Sequence, residues 1–117
     1  MATTGTVLAD EVAWARSRRE RARGLIGRRL LVAGEALVIE PARQVHTVGM
    51  RYAIDVVFCD RDWGVLHVVR GLRPNRITRW VPGARYVIEL PDGSVPAELE
   101  RGHTLSVTST GSRSDLS

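Results

Sequence analysis

The six residues Ile54–Cys59 constrain the fold of this chain more than any other part of its sequence. They are apolar at every position except Asp55, and a segment that is apolar on both faces is typical of a strand buried at the centre of a sheet. A buried carboxylate without a partner is costly. The sequence therefore predicts a central strand. Its acid is held by backbone N–H groups near the Gly49 bend or by an arginine, or it lies at the floor of a pocket.

The rest of the pattern predicts short strands joined by tight turns. Residues 60–64 have the composition of a hairpin turn, and the capping-box residues Ser17 and Glu20 predict a short helix over about 18–26. The predicted strands and helices do not alternate along the chain, so the pattern does not predict a parallel sheet. We therefore expect an α+β fold, with a mostly antiparallel sheet curled into a sandwich or partial barrel and one or two short helices. The other predicted strands are a strand with a turn at 4–15 and strands at 36–39, 44–48, 65–70, 85–90 and 104–108.

Length and composition indicate one globular domain. The 117 residues are 44% hydrophobic and 26% charged, which is ordinary for a chain that buries a modest core. We expect a single domain over 1–117, with its core at about 4–109 and a flexible tail at 110–117. No apolar run approaches the ~20 residues of a membrane-spanning helix, and the first ten residues lack a secretory pattern. The sequence therefore predicts a cytoplasmic protein without a membrane span.

The residue types that are missing exclude several kinds of chemistry. There is no lysine, which removes Schiff-base catalysis and the phosphate-binding lysine of a P-loop. The single cysteine, Cys59, excludes an internal disulfide and a multi-cysteine zinc site, and its apolar strand predicts a buried, inert thiol. We expect no metal and no cofactor.

Positive charge is concentrated in residues 16–29. This segment has seven arginines and one acid, a net charge of +6, whereas the rest of the chain sums to −2. Because guanidinium groups bind phosphates and carboxylates through paired hydrogen bonds, the segment is either an anion-binding face or simply a solvated helix face. The candidate anion-binding residues are Arg18, Arg19, Arg23 and Arg28.

The sequence argues against nucleic acid as the partner. Aromatic residues make up 5% of the chain, and no nucleic-acid-binding motif occurs. Trp14, Trp63 and Trp80 are scattered along the sequence and predict no stacking platform. Weak, non-specific binding of nucleic acid through residues 16–29 stays open as an alternative.

Three motifs together resemble the domain-of-unknown-function 192 family of small prokaryotic domains. Residues 23–28 (RGLIGR) are similar to a helix motif R-G-L-M-x-R, and residues 46–58 (HTVGMRYAIDVVF) are similar to a core motif with the variant H-T-x-G-M. Residues 84–93 (ARYVIELPDG) are similar to A-x-x-V-L-E-L-P-A-G. The resemblance covers about residues 15–108 and implies a single mixed α/β domain with a curled antiparallel sheet. It implies no activity, because the family has no agreed one.

Two acids within these motifs are the main site candidates. If their strands face one cleft, Asp55 and Glu89 could divide the roles of acid and base; the simpler interpretation of Glu89 is an ion pair with an arginine across the strands. His46, Met50 and Arg51 complete the predicted ligand pocket. The leading hypothesis is a non-catalytic module that binds a small ligand or an anionic protein partner in a polar pocket near Asp55. A hydrolase-like enzyme with Asp55 and Glu89 as its acid–base pair is the alternative.

Overall fold

The predicted central strand lies inside a five-stranded sheet. The computed structural model describes residues 2–3, 6–23 and 31–107, and in it all six residues of Ile54–Cys59 are buried. The elements are β1 (Ala2–Thr3), β2 (Thr6–Val7), β3 (Glu11–Ala15), α1 (Arg18–Arg23), β4 (Glu35–Ile39), β5 (Ile54–Cys59), β6 (Val65–Leu72) and β7 (Tyr86–Pro91). The large sheet has the order β3-β4-β7-β5-β6, while β1 and β2 pair separately.

The sheet is mixed, not purely antiparallel. β4 with β7, β7 with β5, and β5 with β6 are antiparallel pairs, but β3 and β4 are parallel, with Glu11 opposite Glu35. Parallel neighbours need a crossover connection, and α1 lies in the segment that joins these two strands. The expectation that no helix would connect parallel strands was therefore wrong.

The structure is mostly β with little helix, as predicted, and the sheet is not closed. β3 and β6 form its two edges. Irregular segments cover both faces and bury the apolar side chains that a second sheet would otherwise cover. One face packs against Leu8, Val95, Leu99 and Leu105, and the other against Val45, Met50, Val81 and Ala84.

The helix begins with the predicted capping box. The Glu20 backbone N–H donates to Ser17 Oγ at 3.0 Å, and the Ser17 N–H donates to Glu20 Oε1 at 3.1 Å. These reciprocal bonds satisfy donors that the first helical turn cannot. The predicted end of the helix near residue 26 and the predicted tail at 110–117 lie outside the described residues.

Two predicted strands are present only as isolated bridges. In the segment 44–48, His46 forms a single antiparallel bridge with Ile77, and near the C-terminal end of the described chain Thr104 bridges Gly64. Thr47 explains the first case, because its hydroxyl takes part in bonds that would belong to a regular ladder: Oγ1 accepts from the Arg76 N–H at 2.9 Å and donates to the Arg73 carbonyl at 2.6 Å. Such side-chain bonds compete with regular pairing.

Cys59 lies fully buried at the end of β5. Burial, and then the negative charge of Asp60, raise the pKa of its thiol to about 12. Because the thiolate is the reactive form, we expect the folded protein to be inert toward Ellman's reagent at mildly alkaline pH and to release one equivalent in denaturant. A native thiol that reacts as fast as the unfolded one would contradict this burial.

Candidate functional site

Asp55 holds three parts of the chain together. Its carboxylate is 1% exposed; Oδ1 accepts the Gly71 N–H at 2.9 Å and Oδ2 accepts the Val95 N–H at 2.9 Å. The register of β5 with β6 shifts between Ile54 and Val56, so Asp55 faces a bulge that contains Gly71, where φ is +61°. Glycine adopts this left-handed conformation without steric cost. Both oxygens therefore bind backbone donors, although these are not the donors near Gly49 that the sequence suggested.

Arg70, also in this bulge, extends the same arrangement. Its Nη2 donates to the carbonyl groups of Pro96 at 2.8 Å, Ala97 at 3.3 Å and Leu99 at 2.7 Å. Asp55 thus binds the start of the loop 95–99, and Arg70 binds the rest of it. An isolated glycine in a strand pattern, here after Arg70, is the sequence signal that could have revealed the bulge.

Asp55 and Glu89 lie on opposite faces of the sheet. In the β5–β7 register, Asp55 is opposite Leu90 and Val56 is opposite Glu89. Directly paired residues share a face, and successive residues of a strand alternate between faces. The two carboxylates therefore do not meet in one cleft, and the predicted acid–base pair of a hydrolase is wrong. A prediction based on each strand alone could not see this, since it depends on register.

Glu89 instead lines a concavity of about 690 Å³ between α1, the segment after β4, and β7. Glu89 is 3% exposed, whereas His46 is exposed at the rim. The apolar part of the wall includes Pro41 and the exposed ring of Trp80. The described residues that line the concavity are Arg18, Arg21, Ile39, Pro41, Ala42, Arg43, Gln44, Val45, His46, Trp80, Arg85 and Glu89.

The concavity is strongly cationic. Four arginines and one carboxylate line it, a formal charge of +3 with His46 neutral. A neighbouring concavity of about 700 Å³ shares Arg43 and Arg85 but has three arginines and three acids in its described lining, so its formal charge is zero. Of these two concavities, the first is the one that combines positive charge with an apolar wall.

Arg21 has a donor that lacks an acceptor. Its Nη1 donates to the Pro41 carbonyl at 3.1 Å, but its Nε is buried and has no hydrogen-bond partner among the described residues. Buried polar groups almost always have partners. Arg18 and Arg21 are three residues apart on α1, a spacing that places them on one helix face.

The other predicted site residues are distributed elsewhere. Met50 is buried in the core, and Arg51 and Arg19 are exposed; none of the three lines the concavity, and neither does Asp55. The side chain of Arg23 and the whole of Arg28 lie outside the described residues. Sequence reasoning missed Arg21, Arg43, Trp80 and Arg85, and only the helical spacing of Arg21 from Arg18 could have indicated one of them.

Two of the tryptophans that look scattered in the sequence are in contact. The rings of Trp63 and Tyr86 stack with centroids 3.8 Å apart and an interplanar angle of 3°, and Trp14 meets both edge-on at 6.0 and 6.4 Å. The Arg16 guanidinium lies 4.2 Å from the centre of the Trp14 ring. The cluster packs against the core on the Asp55 face of the sheet, which favours a structural role.

The fold and the motifs agree with one family. The model of the DUF192 family, described as an uncharacterised ACR, matches residues 1–107. The chain therefore belongs to the DUF192 family. No curated protein matches the chain in sequence.

Two solved structures share the fold. One is a protein of unknown function from Novosphingobium aromaticivorans, with a TM-score of 0.70 and 19% identity, covering 80% of this chain and 71% of that chain. The other, described as a proposed transcription regulator, is from Sinorhizobium meliloti, with a TM-score of 0.67 and 20% identity, covering 80% of this chain and 78% of that one. At these identities the likeness concerns the fold alone.

Two further features concern only the described residues. No group of three or more His, Cys, Asp or Glu side chains is arranged there to hold a metal ion. No helix in that part of the chain is both long and apolar enough to cross a membrane.

Proposed function

We propose that this domain is a non-catalytic binding module, and that it binds a small carboxylate- or phosphate-bearing ligand in the arginine-lined concavity. The observation that carries the proposal is the convergence of four arginines on one concavity with a single carboxylate among them. Like charges brought together in this way repel one another, and an anionic ligand would relieve that repulsion. Guanidinium groups suit such ligands because they form paired hydrogen bonds with both anions.

The size and wall of the concavity support a small molecule. Its volume of about 690 Å³ lies within the ~300–1,000 Å³ of typical small-ligand sites. Trp80 and Pro41 provide an apolar surface for the body of a ligand whose charged groups meet the arginines. This division is usual in small-molecule sites, where a few polar groups fix orientation.

The four arginines are not equally available to a ligand. Arg85 forms an ion pair with Glu40 at 3.2 Å, a carboxylate that also binds Arg16 at 3.0 Å. Arg43 Nε donates to the Ala84 carbonyl at 3.3 Å. The buried Nε of Arg21 has no acceptor among the described residues, and Arg18 lies on the same face of α1. The helix pair is therefore the main anion contact in this proposal.

The double variant Arg18→Gln/Arg21→Gln tests this site. Inorganic phosphate and citrate are titrated into the protein by calorimetry, and thermal unfolding is followed with and without each anion. We expect the double variant to bind at least about tenfold more weakly, because each lost charge-assisted hydrogen bond contributes ~1.5–3 kcal/mol. Stabilisation by saturating anion should fall accordingly.

Arg61→Gln/Arg101→Gln is the matched control, since both arginines are exposed and neither lines the concavity. It removes the same charge and should bind like the unmodified protein. Equal loss in both double variants would reduce the effect to net charge and contradict a defined site. Adding Arg19→Gln separates ligand classes: a small ligand would not sense Arg19, whereas an acidic protein segment lying along α1 would.

A further inference from the structure

The segments 43–49 and 75–81, here called the ribbon, lie side by side in an irregular antiparallel pair. Backbone N–H groups donate across it from Thr47 to the Arg76 carbonyl at 2.8 Å, from Thr78 to the Val45 carbonyl at 2.9 Å, and from Val81 to the Arg43 carbonyl at 2.8 Å. Burial shows which side chains face inward. The inward row is buried and consists of Val45, Thr47, Thr78 and Val81.

The outward row of the ribbon mixes cations with exposed apolar side chains. Ile77 is 67% exposed, and Val48 and Trp80 are each 57% exposed. In the segment 76–80 the exposed residues alternate between arginine and a large apolar side chain, and only Thr78 is buried. The exposed ribbon residues with a basic, imidazole or large apolar side chain, here called the outward row, are Arg43, His46, Val48, Arg76, Ile77, Arg79 and Trp80.

No acid neutralises this row from within its own segments. The ribbon and its flanks, residues 41–54 and 71–88, contain six arginines and no Asp or Glu. Three of these arginines, Arg43, Arg76 and Arg79, belong to the outward row. The positive charge reaches a neighbouring strand: burial, and then the charge of Arg79, lower the pKa of His67 below its ordinary value. The chain outside residues 16–29 is negative in sum, but its acids lie in other segments, so tertiary structure creates a second basic surface.

We propose that the outward row of the ribbon is a docking surface for single-stranded nucleic acid. Its arginines would contact phosphates, and bases would stack on Trp80 and rest on Ile77 and Val48. Stacking on aromatic side chains beside a basic groove is how single strands are held without sequence preference. Arg43 supports the stack, since its guanidinium lies 6.0 Å from the Trp80 ring centre.

Single strands fit this surface better than the other anionic polymers or surfaces. A duplex hides its base faces, so Trp80 and Ile77 would gain nothing from it. A membrane would need a continuous apolar band, whereas arginines separate the apolar side chains here. Seven residues of extended chain span roughly 20 Å, enough for several nucleotides. The surface adjoins the concavity and shares Arg43, His46 and Trp80 with it. Arg76, Ile77 and Arg79 lie outside the lining of the concavity, so these residues distinguish the two sites.

Fluorescence anisotropy with labelled oligo(dT), oligo(U) and a duplex of equal length tests the proposal. We expect at least one of the two single strands to bind more tightly than the duplex. The ratio of the affinities for oligo(dT) and oligo(U) shows whether DNA or RNA is preferred. If three phosphates are neutralised, affinity should fall roughly 20-fold between 50 and 200 mM salt. Tighter binding of the duplex, or no binding of either single strand at low salt, would overturn the proposal.

Variants locate the binding surface. Trp80→Ala should weaken single-strand binding at least about fivefold, with Val32→Ala as the control for loss of an exposed apolar side chain. Arg76→Gln/Arg79→Gln should weaken it and flatten the salt dependence, whereas Arg61→Gln/Arg101→Gln should change it little. Unchanged binding by the Trp80 and Arg76/Arg79 variants would overturn the proposal.

The two proposals fail separately. Arg76→Gln/Arg79→Gln should still bind phosphate in the concavity, and Arg18→Gln/Arg21→Gln should still bind the oligonucleotide. Loss of oligonucleotide binding only in the α1 variant would place the polymer at the concavity and overturn the ribbon proposal. So would binding to vesicles of phosphatidylserine and phosphatidylcholine when neither single strand binds.

Discussion

Replacing Asp55 with alanine is expected to lower the free energy of unfolding by about 4 kcal/mol, because two charge-assisted hydrogen bonds of ~1.5–3 kcal/mol each are lost. The Gly71 and Val95 N–H groups that Asp55 accepts would be left without their acceptor. Asp55→Asn should lose less, about 2–3 kcal/mol, because the amide oxygen can accept one N–H while its NH₂ opposes the other. Urea denaturation with an unchanged m-value measures both losses.

Asp92→Asn is the matched control, since Asp92 is exposed and should stay within about 0.5 kcal/mol of the unmodified protein. The same proteins also separate structure from ligand binding. Folded Asp55→Asn should bind phosphate normally, because Asp55 does not line the concavity. If Asp55→Asn kept full stability but lost phosphate binding, Asp55 would belong to the ligand site and the structural role would be wrong.

Replacing Thr47 with valine is expected to lower the free energy of unfolding by about 2–3 kcal/mol, because a buried hydroxyl that bonds on both sides is removed. Thr47 is fully buried; its Oγ1 accepts from the Arg76 N–H and donates to the Arg73 carbonyl. Valine keeps the shape without these bonds. Because the bond with Arg76 joins the two segments of the ribbon, single-strand binding should weaken as well.

Thr47→Ser is the control for this prediction. Serine keeps the hydroxyl and loses one methyl group, at a cost of about 1 kcal/mol. Urea denaturation and oligonucleotide anisotropy on the two variants distinguish the contribution of the Thr47 hydroxyl from that of its methyl group. If serine is the more harmful change, packing of the methyl group holds the ribbon, and the role given to the hydrogen bonds is wrong.

Local patterns predicted much of the fold. The run of β5, apolar at every position except Asp55, predicted a strand buried inside the sheet, and the capping box of Ser17 and Glu20 marked the start of α1. Periodicity failed where a side chain took over pairing, as at Thr47, and where parallel β3 and β4 met through a helical crossover. The bonds of Thr47 and the pairing of β3 with β4 both depend on residues far away in the chain, so a local sequence pattern does not predict them.

The sequence by itself determined that Asp55 would be buried with a partner, because hydrophobic burial and the cost of an unpaired carboxylate are properties of the local run. Only the tertiary structure decided which donors it has, and that strand register separates it from Glu89. The same holds for charge. The sequence showed one basic segment, at 16–29, but folding joined Arg18 and Arg21 to Arg43 and Arg85 around a concavity, and aligned two acid-free segments in the ribbon. Electrostatic surfaces depend on distances in space, and chain order does not specify these until the register and crossovers of the sheet are set.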